Sequence, residues 1–139
     1  MTEKVDQAGR TELIYAAVDG DIELLKSLIS RGCNVNHRDC RGFSALHAAA
    51  SHGFAEIAGL LIDAGAEVDS QNFQGETPLH LAVSGGFADV AAVLLDGGAS
   101  TSIVNAGGWS PLHSAEVADN RAEVLALMRP NVKGLRGTL

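Results

Sequence analysis

The chain has 139 residues, enough for one domain, and is 46% apolar but only 4% aromatic. Its formal charge of −7 argues against nucleic acid as a partner, because phosphate binding needs a basic face. No apolar run reaches the length of a membrane span, and residues 1–10 lack a signal-peptide core. The expected setting is reducing and cytoplasmic, without membrane contact.

Residues 1–5 read as a loose arm. A first unit, about 6–38, carries helices near 12–18 and 22–30. A second, about 39–71, carries helices near 45–51 and 55–63. A third, about 72–104, carries helices near 78–84 and 88–96. Each first helix opens on a hydroxyl residue, Thr11, Ser44 or Thr77, whose oxygen can cap an unpaired backbone N–H. Pro78 falls at the first helical position, where its fixed φ fits. Gly20, Gly53 and Gly86 break the first helices, and Gly32, Gly65 and Gly98 follow the second. Glu23, Glu56 and Asp89 stand in the first turn of the second helices, where the helix dipole favours a carboxylate.

A fourth unit, about 105–129, opens at Asn105 with its cap at Ser110. Ala122-Glu123-Val124 resembles Ala55-Glu56-Ile57 at an offset of 67, one more than two periods. One residue is therefore inserted between its helices, with Asn120 in the place of Gly53. Arg129 stands where Ile62 packs and Pro130 stops the helix, which suggests a cap followed by a frayed tail, 130–139. In the first unit, polar residues on the second helix (Asp21, Glu23, Lys26, Ser27, Ser30) suit an outer face without a neighbour.

The spacing is strict. Gly9, Gly42, Gly75 and Gly108 recur every 33 residues, as do Leu13, Leu46, Leu79 and Leu112, and Ala16, Ala49, Ala82 and Ala115. Single helices of this length are not stable alone, so a fixed period predicts a solenoid in which each unit buries its faces against the next. Thr77-Pro78-Leu79-His80-Leu81-Ala82 matches T-P-L-H-x-A, and Ser110-Pro111-Leu112-His113 and Ser44-Ala45-Leu46-His47 come close. On these residues the chain, over roughly 6–129, resembles the ankyrin repeat family. The resemblance implies an all-α solenoid of one domain, 1–139: helix-turn-helix units joined by β-hairpin or long-turn fingers, four in number. Small stand-alone proteins of this build resemble bacterial ones.

The chemistry-bearing residues yield no enzyme. There is no G-x-S-x-G, H-E-x-x-H or P-loop. His47, His80 and His113 repeat at 33 and so are strung along the stack rather than converging on a metal. The resemblance implies that they bond within and between neighbouring turns. Cys33 takes the slot of Ala66 and Ala99 and reads as packing; Cys40 falls at a turn tip. No cofactor or metal is expected. Residues 42–120 carry nine acids and no Lys or Arg, which either steers a basic partner or solvates an outer surface.

The resemblance further implies a concave binding face made by finger tips and first helices. The tips here offer Gln7 and Arg10; His37, Arg38, Cys40, Arg41 and Phe43; Phe73, Gln74 and Glu76; and Trp109. The first helices offer Tyr15, Val18, Asp19, Ser51, His52, Ser84, Glu116 and Val117. Four of the six aromatics, Tyr15, Phe43, Phe73 and Trp109, map to this face. They either anchor a partner or pack finger against finger, whereas Phe54 and Phe87, beside the turn glycines, read as packing between units. Expected contacts are Phe43, Phe73 and Trp109 as anchors, with Arg38 and Arg41 pairing to acidic groups. The function expected is a monomeric module binding another protein, as scaffold or regulator, or as an inhibitor or immunity protein that occludes a toxin or enzyme.

Overall fold

The computed structural model describes residues 4–117 and 122–128. Its helices are α1 (Glu12–Asp19), α2 (Ile22–Ser30), α3 (Ala45–His52), α4 (Ala55–Asp63), α5 (Pro78–Gly85), α6 (Ala88–Asp96), α7 (Pro111–Val117) and α8 (Ala122–Leu127). Consecutive helices pair, α1 with α2 through α7 with α8. The odd-numbered helices pack side by side as an inner layer, and the even-numbered ones as an outer layer.

The core lies between the layers. Leu13, Leu46 and Leu79 enter it from inside, and Leu28, Leu61 and Leu94 from outside, all buried. Each such side chain contributes on the order of 2 kcal/mol relative to exposure. Ala16, Ala49, Ala82 and Ala115 are also buried; small residues there let successive inner helices approach. Cys33 is half-buried against this core, near the level of Ala99.

The inner helices are capped as their sequence requires. Thr11, Ser44 and Thr77 accept the backbone N–H of Ile14, His47 and His80 at 3.4, 3.3 and 3.3 Å. The outer helices α4 and α6 begin at Phe54 and Phe87 without a side-chain cap. Those rings do something else: Phe54 lies against Gly20 and Phe87 against Gly53, each wedged on the turn of the preceding pair. Gly53 has φ +77, and a Cβ there would stand 2.8 Å from the Phe87 ring. Only glycine meets both demands.

Among the described residues there is no strand, so the fingers are long turns rather than β-hairpins. In the second finger Asp39 N–H donates to Phe43 O at 2.8 Å and Gly42 N–H to Asp39 O at 2.9 Å; Asn72 and Asn105 head identical turns. Neighbouring fingers share one backbone bond at each joint: Cys40 to Ala8 O, Phe73 to Arg41 O and Ala106 to Gln74 O, at 2.9, 3.0 and 2.9 Å. A single bond aligns two turns but makes no ladder.

α7 starts 33 residues after α5, but α8 starts 34 after α6. The extra residue therefore lies between Pro111 and Ala122, as the sequence indicates. Asn120, Arg129, Pro130 and the tail lie outside the described residues.

Candidate functional site

The finger face is held to the inner layer by imidazoles. His47 Nδ1 accepts the Ser44 N–H at 3.2 Å and lies 2.9 Å from Ser44 Oγ. Its Nε2 lies 2.9 Å from Glu76 O, and a carbonyl can only accept, so Nε2 carries the proton. His80 repeats this with Thr77 and reaches Trp109 O at 2.8 Å. Each ring thus caps its own helix and ties it to the next finger. Burial pushes the His47 imidazole below its usual pKa, keeping it neutral. In the first unit Ile14, buried in the core, occupies this place. There His37, half-buried, donates from Nε2 to Gly9 O at 2.8 Å instead. His113 is exposed, its ring centroid 4.5 Å from that of Trp109.

A denser cluster marks the first two fingers. Asp6 accepts hydrogen bonds from the Tyr15 hydroxyl and from the N–H groups of Ala8 and Arg10. The Tyr15 hydrogen bond is the main reason that the Asp6 carboxyl lies below the usual range; the same bond holds the Tyr15 phenol above its own. Arg10 Nε stands 3.5 Å from the buried carboxylate of Asp39, and its guanidinium lies 5.6 Å from the Tyr15 ring centroid. Tyr15, and Asp39 beside it, hold Arg10 firmly charged. The Arg41 guanidinium lies over Phe43 at 5.2 Å. Between these groups a cleft of about 110 Å3 opens on the inner helices, walled by Ile14, Val18, Ala48 and Phe43 with Ser51 and His52 at the rim.

Arg10, Tyr15, Arg41, Phe43 and His52 are thus brought together. His52 also stacks on Phe54 at 5.8 Å and bonds to Ala48 O at 2.9 Å. Arg38 is turned elsewhere: its Nη1 donates to Gln71 O at 2.8 Å, bridging to the next finger. Glu76 is partly tied, its Oε1 accepting from Asn72 Nδ2 at 3.3 Å. Gln74 is exposed while its carbonyl takes the Ala106 N–H. Phe73 and Trp109 stand further along the stack, 71% and 39% exposed, and Tyr15 is 38% exposed. Glu116 is exposed on α7, at the far end. Cys40 is exposed at the second tip.

Sequence reasoning missed the residues that shape the fingers. Asp6, Asp39, Asn72 and Asn105 each accept two backbone N–H groups through Oδ1, at 2.9–3.0 Å. They also recur every 33 residues. Period was the available signal, obscured by the change from Asp in the first two fingers to Asn in the last two.

A two-layered stack of helix pairs with turn fingers on one side defines a helical repeat solenoid. The family model for ankyrin repeats (3 copies) matches residues 2–72 and again 60–134. The chain belongs to the ankyrin repeat family, whose repeats serve as protein-interaction modules and are typically not enzymes. A search of curated proteins returns no match to it. Among the described residues no helix is long and apolar enough to cross a membrane, and no group of three or more His, Cys, Asp or Glu could hold a metal ion.

Proposed function

We propose that the chain binds a partner protein through the face formed by its fingers and inner helices, acting as a scaffold or regulator. The supporting observation is where the large exposed apolar side chains lie. Besides Val5, Val104 and Leu127, the exposed large apolar residues among those described are the three aromatics Tyr15, Phe73 and Trp109, which belong to α1 and the finger tips, beside inner helices whose Leu13, Leu46 and Leu79 are buried in the core. Aromatics in such places carry most of the energy of protein interfaces. The fingers carrying Phe73 and Trp109 are fixed by hydrogen bonds before any partner arrives, and Tyr15 is held on α1, so docking orders little. An exposed thiol at Cys40 suits a reducing cytoplasmic setting.

The test is to identify the partner by cross-linking in the source cell and to measure its affinity for the purified chain. Trp109→Ala or Phe73→Ala should weaken binding by about 2 kcal/mol, roughly 30-fold, with an unchanged circular dichroism melt. Equal affinity for both variants and the parent would refute the assignment.

A further inference from the structure

The cleft between the first two fingers is the most chemically distinctive part of this face. At about 110 Å3 it is well below the roughly 300–1,000 Å3 of pockets that enclose a small molecule. It has room for one side chain. Its walls are apolar, from Ile14, Val18, Ala48 and Phe43, while two guanidiniums, Arg10 and Arg41, stand at its edge.

The two cations are differently prepared. Arg10 is fixed by Asp39 and Tyr15. Arg41 is exposed, rests on Phe43, and has no carboxylate within ion-pair distance among the described residues. The carboxylates nearby are occupied: Asp39 holds the Arg41 and Phe43 N–H groups and Arg10, and Asp6 holds Tyr15 and two N–H groups. Residues 42–120 contribute no Lys or Arg, so positive charge on the described finger face is concentrated at this end. The acids Glu56, Asp63, Asp89 and Asp96 are exposed on the outer helices.

We infer that this cleft seats one apolar side chain of an extended acidic segment of a partner protein, with carboxylates on either side of that residue meeting Arg10 and Arg41. The inference rests on the protein-binding reading above and names the chemistry of what binds. Guanidiniums on aromatic faces suit it, being weakly hydrated and shaped for bidentate carboxylate contact.

The probe is a phage-displayed library of random peptides selected on the full chain, with enriched sequences synthesised and titrated calorimetrically. Enriched peptides should carry an apolar residue flanked by Asp or Glu. Arg41→Glu should weaken their binding at least about tenfold, a difference of about 1.4 kcal/mol. Ser51→Phe, which fills the cleft from an exposed position, should do the same. Both variants should melt as the parent does. Enrichment of no peptide, or of basic or uncharged ones, overturns the inference, as does acidic-peptide binding indifferent to both substitutions. Binding lost in Phe73→Ala and Trp109→Ala but unmoved by Arg41→Glu and Ser51→Phe would overturn this inference while sparing the broader reading. Binding unmoved by all four would sink both.

Discussion

The second and third helix pairs and the first pair solve one problem by different means. In the second and third, His47 and His80 cap their own helices and reach the next finger. In the first, Ile14 fills the equivalent place with hydrocarbon. The joint between fingers one and two relies instead on Arg10 with Asp39 and on His37 with Gly9 O. A buried imidazole relay is insulated from solvent; a half-exposed ion pair is not. The difference teaches that the middle of the stack is specialised for rigidity, whereas the first joint leaves charged and aromatic groups at the surface, where they can meet a partner.

The largest effect is expected from removing the relay. His80→Ala strands the Thr77 N–H and the Trp109 carbonyl and leaves a void, and should cost about 3 kcal/mol in urea unfolding. Exchanging the first-unit counterpart conservatively, Ile14→Val, should cost only about 1 kcal/mol. Next come the turn glycines. Gly53→Ala must force a positive φ and displace the Phe87 ring, whereas nothing lies within 4 Å of a Cβ on Gly86. Gly86→Ala should therefore show the left-handed penalty alone, about 1–2 kcal/mol, and Gly53→Ala clearly more.

The pH dependence follows from His47. Its folded pKa is depressed by burial, so the unfolded chain binds the proton more readily and stability rises with pH. The contribution is complete above the ordinary imidazole value of about 6.5 and is lost progressively as pH falls below it toward the depressed folded value. Melts between pH 7 and 5 should show this decline, and His47→Gln should flatten it. The smallest effect belongs to the first finger. Tyr15 is the single tyrosine, so ultraviolet titration reads it alone. It should ionise above the usual phenol value, and Asp6→Asn should bring it down, with little change in melting.

Helix positions were legible because their punctuation is chemical. The hydroxyl at each inner N-cap and the glycine after each first helix are dictated by local geometry, and α2, α4 and α6 start and stop where the sequence placed them. Which alternative the fingers adopt was not legible: their bonds run between backbone groups, and only the Asp or Asn at the head of each turn leaves a trace. The bridge from Arg38 to Gln71 O and that from His37 to Gly9 O were also hidden. Arg38 has a period mate in Gln71, whose Nε2 donates to Val104 O at 3.4 Å as Arg38 donates to Gln71 O, but the change from Arg to Gln conceals the equivalence; His37 stands where the next unit has Ser70. Phe54 and Phe87 were readable as packing because both follow a glycine by one residue, at the same interval.

The joint between fingers carries a consequence for how such a chain can change. Cys40 to Ala8, Phe73 to Arg41 and Ala106 to Gln74 are the same bond at a constant interval. Excising residues 39–71 would present Phe73 to Ala8, a donor facing the acceptor it already fits. A gene could thus shorten or lengthen its product by whole modules through unequal recombination, with every splice arriving pre-matched.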